Sequence, residues 1–188
     1  EYRGSISLIE SFKRSSNIVP ISITKKIGLK NIINLANSFG LGYEQKFEEF
    51  PSLAIGAYGD NLLNITNAYS AINNNGKIQS PEIIEKIESF KKQPIWENKS
   101  ISKKILDLNI NKKINKLLEK SVKEGTSKAA SIKGKKIYGK TGTSDGNKDL
   151  WFIGSIDNLT TGIWMGYDDN KESELSSGNA AFLWKKFI

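Results

Sequence analysis

Two short segments, Ser15-Ser16-Asn17 and Lys140-Thr141-Gly142, hold the residues of this chain best suited to chemistry. The 188 residues include no His and no Cys, which excludes a Ser-His-Asp triad and any thiolate nucleophile or metal ligand. Acid–base work near neutral pH must therefore be done by Lys, Asp, Glu, Tyr or Ser. A lysine can act as a base only where burial or a neighbouring cation lowers its pKa.

Each segment also has a simple structural explanation. Lys-Thr-Gly alone fits a strand end followed by a turn glycine. Ser-x-Asn alone fits a helix stop, because Ser and Asn compete for backbone hydrogen bonds. The two segments in this order, with 123 positions between Asn17 and Lys140, favour one shared site.

The elements that must position these segments are mostly helices. Ser7 followed by Glu10 is typical of a capping box and predicts a helix that ends near Arg14. Further helices are predicted from Pro20 onward, between Gly28 and Gly40, and over 62–75, 110–121 and 180–188. Segment 41–61 is expected to be irregular, 83–87 extended, and the Lys-rich segment 88–104 a surface excursion.

In the last third of the chain, the spacing of the apolar residues changes from helix-like to strand-like. Short β-like runs occur at 137–141, 150–156 and 161–167, separated by turn residues, and predict an antiparallel meander. The predicted elements follow the order of helices, then strands, then one final helix. This order indicates a single α+β domain with helices packed on an antiparallel sheet.

The net charge of +8 has two explanations. One is attraction to an acidic partner such as nucleic acid or an anionic polymer. The other is compositional bias, because the chain has 26 Lys but only 2 Arg. The lysines are scattered and are not interleaved with aromatic residues as in a stacking platform, which favours bias and argues against a nucleic-acid partner.

Ser-x-x-Lys, Ser-x-Asn and Lys-Thr-Gly, in that order, are the signature of penicillin-binding proteins and serine β-lactamases. The chain resembles the class A, bifunctional penicillin-binding proteins over nearly its whole length. The resemblance is carried by blocks at 2–18, 51–56, 68–76, 139–144, 149–154, 162–169 and 178–184. Gly59-Asp60 departs from the family, which usually has threonine-proline after a polar or acidic residue at this turn.

The resemblance implies a penicillin-binding protein or serine β-lactamase-like fold and a D,D-transpeptidase of peptidoglycan synthesis, without metal or cofactor. It implies binding of peptidoglycan stem peptides and β-lactams at the extracytoplasmic face of a bacterial inner membrane, with the anchor outside this chain. The residues that match the motifs are Ser15, Asn17 and Lys140 as catalytic groups, and Thr141, Gly142, Thr143 and Ser144 as substrate-binding groups.

One departure concerns the nucleophile. In the family, Ser-x-x-Lys precedes Ser-x-Asn by some dozens of residues, whereas no such pattern precedes Ser15 in residues 1–188. The three patterns that do occur, Ser22…Lys25, Ser89…Lys92 and Ser100…Lys103, all come later, and none is assigned as nucleophile.

We therefore expect residues 1–188 to be a partial transpeptidase domain without its nucleophile segment, inactive alone, with the N-terminal part of the same protein as a candidate partner. The alternatives are a non-catalytic remnant or binding module and, with less support from the motif blocks, a serine β-lactamase.

Overall fold

The fold is described from a computed structural model, in which residues 4–42 and 47–188 are described. The start of the first resemblance block and part of the predicted irregular segment 41–61 lie outside these residues. In the described part of the chain, no helix is both long and apolar enough to cross a membrane.

Six α-helices follow one another through the described residues, with a three-stranded sheet between the fifth and the sixth. The helices are α1 (Leu8–Lys13), α2 (Ile18–Ile27), α3 (Leu29–Ser38), α4 (Leu62–Asn73), α5 (Leu108–Glu124) and α6 (Ser177–Phe187). Short 3₁₀ turns lie at Pro51–Ile55, Lys128–Ala130 and Asp145–Asn147.

Within the described residues, seven strands form three antiparallel sheets. The strands are β1 (Lys77–Ile78), β2 (Lys86–Glu88), β3 (Pro94–Glu97), β4 (Lys103–Lys104), β5 (Ile137–Thr143), β6 (Asp149–Ile156) and β7 (Leu159–Gly166). β1 pairs with β4, β2 pairs with β3, and the main sheet has the order β5-β6-β7. The α+β prediction with a terminal antiparallel meander is therefore confirmed.

The helix ends follow local chemistry. Ser7 is the N-cap of α1, where its hydroxyl accepts a hydrogen bond from the Glu10 N–H at 3.2 Å, and Arg14 is the C-cap, as predicted. Pro20 lies in the first turn of α2, where a missing N–H costs nothing. The last helix begins at Ser177, three residues before its predicted start.

The core lies between the main sheet and the helices α5 and α6. Phe152 on β6 and Trp184 on α6 are fully buried and meet edge to face, with ring centroids 5.3 Å apart. Val122 on α5 and Ala180 and Ala181 on α6 complete the same cluster. Burying such side chains stabilises the fold by about 1.5–3 kcal/mol for each large one.

The segment 83–104 is more regular than the predicted extended run over 83–87 followed by a surface excursion over 88–104. It contains a hairpin of β2 and β3, which are joined by a turn over 89–93. All seven strand residues are exposed, and Phe90 in the turn is fully exposed. The hairpin therefore projects from the domain instead of packing into its core.

Candidate active site

The turn between α1 and α2 places Ser15 at the surface. Its N–H donates to the Phe12 carbonyl at 3.1 Å, and the Ser16 N–H donates to the Ser11 carbonyl at 3.0 Å. Ser15 has φ +53°, a left-handed conformation that non-glycine residues seldom adopt. Such strain is common at functional sites and persists only where the surrounding structure enforces it.

Lys140 lies in the middle of β5, which is an edge strand of the main sheet. Its amine donates to Ser15 Oγ at 2.8 Å and to the Thr141 carbonyl at 2.9 Å. The Phe12 ring centroid is 5.9 Å from Lys140 Nζ. Residues 125 positions apart thus meet directly, and the α1–α2 turn lies against the edge strand.

Burial alone shifts the pKa of Lys140. The side chain is half-buried, and the loss of hydration lowers the pKa of Lys140 to about 8 from an ordinary value of 10.5. Its two hydrogen-bond partners are a hydroxyl and a carbonyl, neither of which carries a charge. A large fraction of this amine is therefore neutral at mildly alkaline pH.

The charged residues of α1 and α5 pair with one another. Lys13 Nζ lies 2.9 Å from Glu10 and 3.1 Å from Glu124, and Arg14 also contacts Glu10. These contacts, first from Lys13 and then from Arg14, lower the pKa of Glu10. The Lys13 carbonyl also accepts the Thr126 N–H at 3.0 Å, so α1 is fixed to the end of α5.

Hydrogen bonds to hydroxyl groups hold the buried side of β5. Thr141 is buried, and its Oγ1 is 2.8 Å from Oγ1 of Thr126. The Thr141 N–H donates to Ser127 Oγ at 3.1 Å, and Ser127 Oγ is 2.8 Å from Ser121 Oγ. The Thr141 hydroxyl predicted to bind substrate therefore already has a partner inside the domain.

The far end of β5 is fixed by polar contacts. Thr143 Oγ1 donates to Ser177 Oγ at 2.8 Å, which ties the strand to the first turn of α6. Ser144 Oγ donates to Asp149 Oδ2 at 2.9 Å and accepts the Asp149 N–H at 2.8 Å. Trp164 Nε1 donates to Asp149 Oδ1 at 3.0 Å, so one carboxylate secures the turn after Lys-Thr-Gly-Thr.

Gly142 lies flat against the neighbouring strand. A Cβ at this position would be 3.3 Å from Trp151 Cβ, which is tighter than an ordinary contact. Because side chains alternate between the faces of a strand, the glycine leaves the position next to Lys140 on the same face of β5 without a side chain. An extended peptide can then lie along this edge and pair with its main chain.

A cavity of about 670 Å³ lies beside the Ser15–Lys140 contact. Arg14 and Ser16, the residues flanking Ser15, contribute to its wall together with Val19 and Thr126. Ser15 and Lys140 do not line it. The cavity therefore borders the α1–α2 turn without including the Ser15–Lys140 pair.

The structure brings Ser15 and Lys140 together and places Asn17 two residues beyond Ser15. Asn17 is exposed and is the N-cap of α2, without a capping hydrogen bond from its side chain. Its amide is thus not used by its own helix.

The three downstream Ser-x-x-Lys patterns have other surroundings. Ser22 and Lys25 lie within α2, Ser89 and Lys92 lie within the hairpin turn, and Ser100 precedes Lys103, the first residue of β4. The Lys92 N–H donates to the Ser89 carbonyl at 2.9 Å, which is a backbone bond. Among the side-chain hydrogen bonds of the described residues, that of Ser15 with Lys140 joins a serine hydroxyl to a lysine amine, and none of these three patterns forms such a bond.

Sequence reasoning assigned no role to four polar residues that build the site: Thr126, Ser127, Asp149 and Ser177. Asp149 lay in a quoted block, but nothing in its spacing signals a bond to Trp164. Thr126 and Ser127 follow a helix-ending glycine and look like ordinary turn residues. Each of these contacts joins separate elements, which periodicity within one element does not reveal.

Comparisons with known proteins identify the class of fold and then the family. Penicillin-Binding Protein 1A from Haemophilus influenzae superposes with a TM-score of 0.84 at 19% identity, covering 100% of this chain and 35% of that one. The D,D-transpeptidase domain of a peptidoglycan glycosyltransferase from Eggerthella lenta gives a TM-score of 0.79 at 21% identity, covering 100% of this chain and 53% of that one. The fold is thus that of penicillin-binding protein transpeptidase domains.

Sequence comparison establishes the family. The family model of the penicillin binding protein transpeptidase domain matches residues 1–183, and the chain belongs to this family. Penicillin-binding protein 1A of Clostridium botulinum (strain Langeland) is 31% identical over 188 residues, covering 97% of this chain and 23% of the relative. That of Rickettsia typhi is 30% identical over 195 residues, covering 92% and 25%. The chain spans about a quarter of the length of these relatives.

Proposed function

We propose that residues 1–188 supply the proton-relay and carboxylate-binding part of a D,D-transpeptidase site that cross-links peptidoglycan stem peptides by acyl-serine transfer. β-Lactams would bind at the same place, at the extracytoplasmic face of a bacterial inner membrane. The observation that carries this proposal is the 2.8 Å contact between Lys140 Nζ and Ser15 Oγ. Two segments matching a three-part catalytic signature meet there although they are distant in sequence.

Lys140 and Ser15 take the electrostatic and relay roles in this proposal. The ammonium form of Lys140 attracts the substrate carboxylate and lowers the pKa of a neighbouring lysine base. Ser15 passes a proton between that base and the leaving amine, because its hydroxyl both donates and accepts.

The remaining site residues orient the peptide. Asn17 donates its side-chain amide to a substrate carbonyl, and Gly142 leaves room for the peptide along β5. Thr143 and Ser144 lie at the strand end, where hydroxyls can reach the carboxylate, and Thr141 would do so after exchanging its bond to Thr126. The Thr143 backbone N–H contributes one donor of an oxyanion hole.

The nucleophile in this proposal is a serine of a Ser-x-x-Lys segment outside residues 1–188. Its hydroxyl attacks the D-Ala–D-Ala peptide carbonyl, the peptide C–N bond breaks, and D-Ala leaves with the relayed proton. An amine of a second stem peptide then attacks the acyl-serine ester, forms the cross-link and releases the serine.

Fluorescent penicillin labelling followed by denaturing electrophoresis tests the proposal. Residues 1–188 alone should give no label at Ser22, Ser89 or Ser100, since the structure shows no hydrogen bond from the hydroxyl of any of these described serines to a lysine amine. A version of this protein that also carries a Ser-x-x-Lys segment should be labelled at that serine. Lys140→Ala in that version should reduce the acylation rate at least tenfold while the protein still folds, as judged by circular dichroism.

Two results would reject the proposal. One is labelling of residues 1–188 at any of the three downstream serines, mapped by mass spectrometry. The other is a version with Ser-x-x-Lys that folds, as judged by circular dichroism, but is never acylated. The second result would indicate a non-catalytic binding module instead.

A further inference from the structure

The contact between Ser15 and Lys140 has the composition of a serine–lysine nucleophile pair. In such pairs a neutral lysine accepts the serine proton and so activates the hydroxyl. In the structure Lys140 Nζ donates to Ser15 Oγ at 2.8 Å. A neutral Lys140 has a lone pair that can accept the Ser15 Oγ–H hydrogen across the same distance. One remaining amine hydrogen still donates to the Thr141 carbonyl, 2.9 Å away.

The α1–α2 turn leaves Ser15 exposed to solvent, as a nucleophile requires. The residue is exposed and has φ +53° between the C-cap of α1 and the start of α2. In α/β-hydrolases the nucleophilic serine also lies on a sharp, strained turn that exposes its hydroxyl. The two backbone bonds of this turn, from Ser15 and Ser16, keep the hydroxyl in that place.

The surroundings favour the neutral amine. At the end of α1, Glu10 pairs with Lys13 and Arg14, and Lys13 also pairs with Glu124 on α5. Lys120 on α5 contacts Glu124 as well. Lys140 takes part in none of the ion pairs found among the described residues. Desolvation without a counter-ion lowers the pKa of Lys140, which supplies a free base at mild pH.

We propose that Ser15 and Lys140 form a nucleophilic pair of their own, which reacts with small acyl and phosphonyl compounds that carry a good leaving group. This activity goes beyond the proposed transpeptidase function, in which Ser15 only relays a proton. It needs no Ser-x-x-Lys segment, and its failure would leave the transpeptidase proposal untouched.

The reaction with an alkyl fluorophosphonate balances as follows. The Ser15 Oγ–H proton moves to the lone pair of Lys140 Nζ, and Oγ forms a bond to phosphorus. The P–F bond breaks, and fluoride leaves with the electron pair of that bond. The products are a Ser15 phosphonate ester, a Lys140 ammonium and fluoride. With an activated ester, the acyl-Ser15 formed in the same way would be hydrolysed by water to the acid and free Ser15.

The test is labelling of residues 1–188 with an alkyl fluorophosphonate at pH 8, followed by peptide mapping by mass spectrometry. Ser15→Gly is the decisive variant, because glycine accepts the positive φ while the CH2OH side chain that carries the hydroxyl is lost. Ser16→Ala is the matched control at the adjacent serine. Lys140→Arg keeps a cation but cannot accept a proton, so it separates a base from a purely electrostatic group.

We expect a phosphonate on Ser15 in the wild type and in Ser16→Ala at similar rates. Labelling should fall at least tenfold in Ser15→Gly and in Lys140→Arg. An unmodified Ser15 in the folded wild type overturns the proposal. Modification mapped mainly to another residue, or full labelling of Lys140→Arg, overturns it as well.

Discussion

Lys140 is a half-buried cation whose hydrogen-bond partners are a serine hydroxyl and a backbone carbonyl instead of a carboxylate. Such an amine bears the cost of lost hydration without a compensating ion pair. The carboxylates Glu10 and Glu124 pair instead with Lys13 and Arg14. The site thus keeps an amine without an ion pair, and its charge depends on pH.

The lowered pKa of Lys140 predicts that the free energy of unfolding rises as the pH rises. The folded pKa of about 8 lies below the ordinary 10.5, so between these values the unfolded chain holds a proton that the folded chain lacks. Stability gained from this group therefore rises as the pH rises through that window. Below pH 8 the charged amine costs about 3 kcal/mol, from the difference between the two pKa values.

Urea unfolding of the wild type and of Lys140→Met measures this effect. At pH 7 the methionine variant should have the higher free energy of unfolding, by up to about 3 kcal/mol. Its advantage should shrink as the pH approaches 10.5, where both forms have an uncharged side chain. An advantage that is the same at pH 7 and pH 10 would show that Lys140 is not desolvated as described.

At the scale of elements, the site depends on how closely β5 and β6 approach the aromatic pair beneath them. Gly139 and Gly154 face each other across these strands. A Cβ at Gly154 would lie 2.5 Å from Phe152 Cε1 and 2.8 Å from Trp184 Cε2. Both glycines therefore give the Phe152–Trp184 pair its space, and the position of β5 follows from that packing.

We expect Gly154→Ala to lower the free energy of unfolding by about 2 kcal/mol, as overpacking of a full core does. Gly59→Ala is the matched control, since a Cβ there meets nothing within 4 Å and the position is exposed. The control should change stability by less than about 0.5 kcal/mol. Thermal unfolding measures both, and equal effects of the two substitutions would contradict this account of the core.

Some helices and strands could be predicted from the sequence, and others could not. The meander of β5, β6 and β7 was predicted from short β-like runs separated by turn residues. The helix α5 was predicted because its apolar residues repeat at helical spacing. β3 was missed because all four of its residues are exposed, so no alternation of apolar and polar residues marks it. The capping box at Ser7 located α1 because its signal is contained within four residues.

The candidate site was predictable only in part. The pairing of Ser15 with Lys140 followed from two motifs of one known signature, and no periodicity would have suggested it. The bond between Thr141 and Thr126, and the one between Asp149 and Trp164, depend on how separate elements dock. Spacing within a strand shows which residues share a face, but not which element covers that face.

At the scale of the whole molecule, stability is concentrated in one half of the chain. The buried cluster draws on α5, the main sheet and α6. The hairpin of β2 and β3 contributes only exposed residues. Regions with few buried apolar contacts open at a lower free energy than the core does.

Native-state hydrogen exchange should reproduce this division. The amides of β6, which is paired on both sides and carries Leu150 and Phe152 in the core, should exchange slowest. The amides of β2 and β3 should exchange far faster, by local opening of the hairpin. Comparable protection of β3 and β6 would show that the hairpin packs on the domain after all.

The exposed hairpin also has a practical consequence. Its turn over 89–93 joins two strands whose residues are all in contact with solvent, so an insertion there disturbs no buried group. Exposed loop tips of this kind are where inserted sequence is best tolerated. The turn is therefore a suitable place to splice in an affinity tag or a fluorescent reporter, leaving the Ser15–Lys140 contact intact.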